Sequence, residues 1–560
     1  MTTQMIADPV AKKPVNSGQS QPTDGLTVAQ FILEQLSVWG VKRIYGVIGD
    51  ANLYVLDALA KQNKIAYVAC KHECSAALMA SAEAKLTGWV AVCMATSGPG
   101  IANLLNGLAD AAMDHAGVIV LTGQVATASI GTHAKQYINQ QQLIHPIAST
   151  SELLAHPDAL PELLQNFFVK SKMNGEVTHL SIPKDMFQLP VQGTVRAYPQ
   201  HLHQKRLTPE ELIQQAAEQL AKSLKPSLLI GRGAFSAADK IRQLAENVQA
   251  AVVTTYTARS LFPNDHAQYA GGLGQAGSEA SSVLLAESDL ILVLGGTWWP
   301  DDYAPTQARI LQIDQSPGNM GIEHGLELGI VGDLAQIVPR LFELVSAKPK
   351  DRAAWKQRIA EVAGGWKARI EQEAGSNASP LAPQRVIREL SGQLAPDAIV
   401  AVDTGDHTLW FNRIFQAKRQ EILISGRWRT LGFALPAAIA AQLEYPERQV
   451  IALAGDGGSV QTLMEFQTAV QLGLPIVMII MNNESYAMEK NRMLASGMQT
   501  LGSELVNPDF ALIAQACGGI GRKAVSAGEF EQELREALGQ RKPCILEVTV
   551  QAAMVPHTKI

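Results

Sequence analysis

The chain has 560 residues, of which 47% are hydrophobic and 18% charged, and its formal net charge is -6. That length predicts three or four domains of ordinary size. The acidic balance excludes a basic surface for nucleic acid, and no apolar run approaches the ~20 residues that span a membrane. The cysteines Cys70, Cys74, Cys93, Cys517 and Cys544 show no disulfide spacing, which predicts buried thiols in a reducing compartment. Cys70 and Cys74 flank His72, but the sequence supplies no further ligands for a zinc site.

Residues 1–25 are polar, carry Lys12, Lys13, Pro14, Ser17 and Gly18, and lack the apolar core of a signal peptide. They read as a flexible tail on a cytoplasmic protein. Thr27 and Gln30 have capping-box spacing, and a helix is expected from there to Gly40. Strands are expected at Arg43–Ile48, Ile65–Cys70, Val90–Met94 and Val118–Leu121. Between them an alanine-rich helix runs from about Ser75 to Thr87 and stops at Gly88. This alternation predicts an α/β domain over 26–189, a mainly parallel sheet flanked by helices. A polar linker, Pro190 to Arg206, leads to a second α/β unit over 207–345. Its strands, Leu228–Ile230, Ala251–Thr255, Leu290–Leu294 and Ile310–Ile313, end in or near Gly231-Arg232-Gly233, Gly295-Gly296 and Asp314. Trp298-Trp299-Pro300 lies just past a strand end, where it could stack on a ring, although paired tryptophans are more often packing. A charged connector with one helix is expected over 346–383, and a third α/β domain over 384–550. The first and third domains share an alternation that a duplication would explain.

The third domain carries the most informative stretch, QVIALAGDGGSVQTLMEFQTAVQLGLPIVMIIMNNE, from Gln449 to Glu484. Val450–Ala454 suits a buried parallel strand. Gly455-Asp456-Gly457-Gly458 is expected to turn the chain through glycine's conformational freedom, with Ser459 capping the next helix. Leu463, Phe466 and Val470 line one face of that helix, and Gly473 and Pro475 stop it. A second buried strand, Ile476–Met481, ends in Asn482-Asn483. In an open parallel sheet these carboxyl ends are where ligands bind. The Asp456 carboxylate and the Asn483 amide oxygen are hard ligands that suit Mg²⁺, and the glycines bring backbone N–H groups close to phosphate. Alone, the glycine turn would be an ordinary loop. Its pairing with Asn-Asn after the next strand points to a metal-held diphosphate.

The stretch resembles the binding motif for thiamine diphosphate (ThDP), and the likeness extends over about residues 26–550. The implied order is pyrimidine-binding, central and diphosphate-binding domain. Among ThDP-dependent enzymes of 2-oxo acids, the chain is most similar to pyruvate oxidase through KHECSAALMASAEAKLTGWVAVC, TSGPG and NGLADAAMDH. It also resembles acetolactate synthase and, in WRTLGFALPAAIAAQLEYPERQVIA, benzoylformate decarboxylase. The resemblance implies that Asp456, Asn483 and the Ser485 carbonyl hold Mg²⁺. Gly455, Gly457 and Gly458 would then line the diphosphate. Glu73 would contact N1′ of the aminopyrimidine, Leu431 would wedge the cofactor into its bent form, and Gln136 matches an active-site glutamine. Taken alone, Leu431 is ordinary core and Glu73 a helix-start glutamate. Lys135 stands where the relatives tend to carry phenylalanine or histidine, and either meets an anion or points to solvent. Thr96 stands where benzoylformate decarboxylase has a catalytic histidine, which argues against a simple decarboxylase of that type.

FAD is the further expectation, in the central domain against Gly231, Arg232, Gly233, Gly295 and Asp314. Some family members keep this fold without a flavin, or with one that takes no redox part. The implied activity is decarboxylation of pyruvate or a related 2-oxo acid with oxidation of the hydroxyethyl intermediate. The alternatives are a carboligase, a decarboxylase without redox flavin, and a non-catalytic regulatory subunit. Intact Glu73, Asp456 and Asn483 argue against the last. In this family the cofactor is shared between subunits, so a homodimer at least is implied, with a homotetramer as the expected assembly.

Overall fold

Short runs of valine, isoleucine, leucine and alanine become the inner strands of each sheet, buried on both faces, while most edge strands are partly exposed. The computed structural model describes residues 25–198, 208–274, 276–297, 303, 307–321, 325–346, 350–556 and 558. It divides into two compact units, the first holding one sheet and the second holding two.

In the first unit the strands are β1 (Arg43–Gly46), β2 (Ala66–Ala69), β3 (Ala91–Ala95), β4 (Val118–Gln124), β5 (Thr150–Leu153) and β6 (Val177–Pro183). Their order is β2-β1-β3-β4-β6-β5, with every pairing parallel. The capping box of Thr27 and Gln30 forms, starting a helix at Val28. The alanine-rich helix is Glu73–Thr87, and Gly88 closes it in the left-handed conformation. Its small residues let the Pro99–Met113 helix cross closely: a Cβ on Gly107 would stand 2.5 Å from the Ala77 Cβ.

The second unit begins with β7 (Pro226–Ile230), β8 (Ala251–Thr254), β9 (Tyr269–Gly272), β10 (Leu290–Leu294), β11 (Arg309–Asp314) and β12 (Leu328–Val331). They are parallel in the order β12-β11-β10-β7-β8-β9. Counted within this domain, that is the doubly wound order of dinucleotide-binding sheets, with its reversal between β7 and β10. The connector's helix is Ala353–Ala374. Its Trp355, Ile359, Ala363, Trp366 and Ile370 recur at helical spacing and are buried, and the Trp355 indole N–H donates to the Pro226 carbonyl at 3.0 Å.

The third sheet has β13 (Ile399–Val402), β14 (Glu421–Ile424), β15 (Val450–Gly455), β16 (Val477–Asn482), β17 (Ile520–Ala524) and β18 (Cys544–Thr549). Its order, β14-β13-β15-β16-β18-β17, repeats that of the first sheet strand for strand. Shared topology of this kind is what a duplication leaves. The reversal of strand order falls between β13 and β15, and their carboxyl ends therefore splay to leave a crevice. Among the described residues no helix is long and apolar enough to cross a membrane.

Candidate cofactor site at the ends of β13, β15 and β16

A cavity of about 470 Å³ opens at that crevice. Leu431, Gly455, Asp456, Gly457, Gly458, Asn483 and Ser485 all line it. The structure thus brings seven of the expected site residues to one place. Two details of the expected turn are corrected. The helix begins at Asp456 itself, with Gly457 and Gly458 inside it, so no left-handed glycine is needed there. Ser459 lies within that first turn and its hydroxyl donates back to the Gly455 carbonyl at 2.7 Å, so it is not the cap. The glycines answer to space rather than to φ. A Cβ on Gly457 would lie 2.3 Å from Cε1 of Tyr486, and one on Gly458 would lie 2.9 Å from the Asp403 carboxylate. With no side chain at Gly457 and Gly458, a phosphate can approach the backbone of this helix start, whose Gly457 N–H already faces the Asp456 carboxylate.

Asp456 is buried, and burial raises its carboxyl pKa above the ordinary value against several hydrogen bonds that oppose the shift. Its Oδ2 accepts from Nδ2 of Asn507 at 2.8 Å and from the Ser485 N–H at 3.2 Å. The same N–H lies 3.2 Å from Oδ1 of Asn483. Asn482 points away from the cavity's ligand set and anchors it: its Nδ2 donates to Glu547 on β18, and its Oδ1 accepts from Asn507 and from the Glu484 N–H. The hydroxyl of Ser485 is buried without a hydrogen-bond partner. The Asp456 carboxylate and the Asn483 amide oxygen converge on the Ser485 N–H, and with the Ser485 carbonyl that the resemblance implies they form a hard-oxygen donor set that suits Mg²⁺ completed by phosphate oxygens. The residues therefore fit a metal-held diphosphate.

The sequence reading passed over Asp403-Thr404-Gly405-Asp406-His407, which follows β13. The available signal was a polar run directly after a buried strand. Asp403 is 1% exposed and clasps the segment that carries Leu431. Its carboxylate accepts from the N–H groups of Thr404 at 2.8 Å, Gly432 at 3.0 Å and Phe433 at 3.2 Å. Burial pushes this carboxyl up to about 7. Asp406 lines the cavity, accepts from the Trp410 indole at 2.8 Å, and is pushed up to about 6, again mainly by burial. His407 is held by Nε2 against the Asp403 carbonyl at 3.0 Å, and burial pushes it down to about 4, so the ring is neutral at neutral pH.

The remaining expected residues lie elsewhere. Glu73 and Gln136 belong to the first unit. Glu73 opens its helix half-buried, and its Oε2 accepts from Nδ2 of Asn103 at 2.9 Å. Gln136 has φ +64°, and its carbonyl is packed where a Cβ on Gly98 would approach to 2.8 Å. Lys135 is exposed. Gly231, Arg232, Gly233, Gly295 and Asp314 gather at the ends of β7, β10 and β11, apart from the cavity. Gly231 and Gly295 are needed for close backbone packing: a Cβ on Gly231 would lie 2.2 Å from the Gly295 carbonyl oxygen. Asp314 uses Oδ1 to accept from the Ser316 N–H and Asn319 Nδ2, both at 2.9 Å. Arg232 is exposed. A glycine-lined reversal point in a doubly wound sheet, with an acid on the adjacent strand end, fits a dinucleotide such as FAD. The expectation about Trp298-Trp299-Pro300 falls outside the described residues.

Family comparisons agree with this geometry. Residues 403–548 match the C-terminal TPP binding domain of thiamine pyrophosphate enzymes, residues 26–143 the N-terminal TPP binding domain, and residues 213–341 the central domain. The chain belongs to the ThDP-dependent enzymes of 2-oxo acids. Over 527 residues it is 32% identical to YdaP of Bacillus subtilis (strain 168), whose name calls it a thiamine pyrophosphate-containing protein, covering 94% of this chain and 92% of that one. It is 31% identical over 485 residues to the large subunit of acetolactate synthase isozyme 1 of Escherichia coli (strain K12), covering 84% of each. Pyruvate oxidase of Lactiplantibacillus plantarum is 28% identical over 536 residues, covering 93% of this chain and 88% of its own. Within this ThDP family the chain therefore stands near both oxidases and carboligases.

Proposed function

We propose that this ThDP enzyme uses Mg²⁺ and FAD to decarboxylate pyruvate or a close 2-oxo acid and to oxidise the two-carbon unit that remains. The observation that carries the reading is the pairing of a diphosphate-and-metal cavity at the β13–β15 crevice with a glycine-lined, dinucleotide-type reversal in the central sheet. Asp456, Asn483 and Ser485 would hold Mg²⁺, and the backbone of the helix start at Gly457 and Gly458 would receive the diphosphate. Asp403 would fix Leu431 against the cofactor by clasping the two residues after it. Glu73, one oxygen held by Asn103, would turn its other oxygen to N1′ of the aminopyrimidine. His407, neutral, adds no charge beside the phosphates. Bound ThDP supplies the carbon nucleophile and electron sink that decarboxylation needs, and bound FAD a two-electron acceptor. The enzyme would act as a homodimer at least, because Glu73 and Asp456 meet one cofactor from different subunits in this family.

The second reading is a carboligase that joins the two-carbon unit to another 2-oxo acid. The identity to acetolactate synthase favours it. One experiment separates the two. The protein is purified with its cofactors, its absorption spectrum is recorded, and pyruvate is added without oxygen. Bleaching of a flavin band, with acetate or acetyl phosphate formed, supports the oxidase. Acetolactate formed with no change in the flavin band supports the carboligase and overturns the first reading.

A further inference from the structure

Among the described residues, five that are not glycine have a left-handed backbone: His115, Gln136, Gln249, Arg429 and Glu484, with φ between 51° and 64°. His115 and Gln249 follow or close helices, where this conformation is routine. The other three stand at site residues. For Glu484 the cause is visible, since its N–H donates to Asn482 Oδ1 and its carbonyl accepts from the Leu505 N–H, both fixing the metal loop. At Arg429 the following backbone is pinned, the Thr430 N–H donating to the Ser425 hydroxyl at 3.0 Å, but the side chain is not: it lines the cofactor cavity, two residues before Leu431, and among the described residues no hydrogen bond or ion pair engages its guanidinium. Of the three acids that share the cavity, Asp456 is held by Asn507 and Ser485, Asp406 by Trp410, and Glu489 makes no ion pair with Arg429 among the described residues. A strained residue that presents an uncommitted cation to a reaction cavity is a ligand clamp in form.

Resting on the proposed function, we propose that Arg429 binds the anionic acceptor of the two-carbon unit, an oxyanion that is either inorganic phosphate or the carboxylate of a second 2-oxo acid. The carboxylate of the first substrate is a poor target for this charge. It leaves as neutral carbon dioxide, so a cation bound to it would stabilise the ground state more than the transition state. A cation is useful only to a group that stays anionic throughout. Phosphate and carboxylate both do, and both match a guanidinium with two parallel hydrogen bonds. With phosphate, one of its oxygens forms a C–O bond to the reacting carbon of the two-carbon unit while that carbon's bond to ThDP breaks, its electron pair returning to ThDP. Two electrons from the unit pass to FAD with two protons, one from the unit's hydroxyl and one from phosphate. With a 2-oxo acid, a C–C bond forms at its keto carbon, whose oxygen takes the proton that the unit's hydroxyl gives up; the bond to ThDP breaks in the same way, and no net oxidation occurs.

The test uses the full chain loaded with ThDP, Mg²⁺ and FAD, comparing the parent with Arg429→Met and Arg429→Lys. Pyruvate consumption with ferricyanide and no phosphate reports the acceptor-free route. Acetyl phosphate against phosphate concentration, and acetolactate against pyruvate concentration, report the two acceptors. Arg429→Met is expected to raise the KM of one acceptor roughly 10- to 100-fold, the range for losing a charge-assisted hydrogen-bonded pair. The acceptor-free rate should fall by less than the KM rises, and Arg429→Lys should recover part of the KM loss. The acceptor whose KM moves identifies the anion. Unchanged saturation by both acceptors, or a uniform fall of all three rates, overturns the proposal. Calorimetric titration of phosphate and of pyruvate into the loaded protein gives a readout independent of turnover: equal affinity of the parent and Arg429→Met for both overturns it as well. A parent that consumes no 2-oxo acid defeats the proposed function instead, and the titration still decides the role of Arg429.

Discussion

Replacing Asp403 by asparagine tests the energetics of the clasp behind the cofactor cavity. Unfolded, this carboxyl loses its proton near its ordinary value of about 3.9. Folded, burial keeps the proton on to about 7, in spite of three backbone N–H donors that favour the charged form. Between those values the native chain holds one proton more than the unfolded chain, so stability falls as pH rises. At about 1.4 kcal/mol per pH unit, tapering above the folded pKa, the parent loses on the order of 2–3 kcal/mol between about pH 5 and about pH 8 through this group alone. Asparagine cannot titrate. It also turns an NH₂ toward one of the N–H groups that the carboxylate had accepted, which costs about 1–3 kcal/mol at every pH. Asp403→Asn should therefore be less stable at acid pH and should draw level with the parent, or pass it, as pH rises. Urea unfolding of the cofactor-free protein followed by circular dichroism measures this, with the difference between the two proteins taken at each pH because a chain of several domains need not unfold in one step. Stability differences that stay constant from about pH 5 to about pH 8 would refute the assignment of a retained proton to Asp403.

Asp456→Ala and Asn483→Ala should each weaken ThDP binding about 100-fold or more, together with Mg²⁺, since neither ligand is held well without the other. Tryptophan quenching on titration measures it, and parental affinity in either variant rejects the metal assignment. Glu73→Gln should bind ThDP and Mg²⁺ nearly as the parent does yet lose roughly 100-fold or more in rate. Exchange of the C2 proton of bound ThDP, followed by NMR, should slow in step, and parental exchange clears Glu73 of that role. Gly457→Ala keeps the helix start but forces a methyl group into the Tyr486 ring, for an expected loss of about 1–3 kcal/mol. A thermal midpoint equal to the parent's would mean that Tyr486 moves aside without cost.

The alternation of apolar runs and helix patterns in the sequence was enough to announce parallel sheets, because burial on both faces leaves continuous valine and isoleucine runs such as Val450–Ala454. Alternation does not encode which strand lies beside which. Neither the repeated order of the first and third sheets nor the reversed order of the central one was legible. Asp456 and Asn483 were legible because metal chemistry constrains residue type and spacing along the chain. Asp403, Asn507 and Glu547 were not, because each acts on residues 25 to 65 positions away. The misreading of Gly455–Gly458 has the same root. Glycine is required there by Tyr486 and Asp403 pressing from other elements, a demand that no local backbone rule reveals.

The bond from Asn482 to Glu547 also sets a schedule. Glu547 lies 65 positions after its partner and on the strand that inserts between β16 and β17. At the usual ribosomal pace of ~5–20 residues per second, the metal loop is made roughly 3–13 s before the strand that steadies it can arrive. During that interval the two asparagines at the end of β16 have no neighbour on one side. Released chains that stop before Cys544 should accordingly fail to retain ThDP on a cofactor column, while released chains extended past Thr549 retain it. Assembly of the cofactor cavity is thus among the last events of the third domain's synthesis, although the residues that bear the chemistry are among its earlier ones.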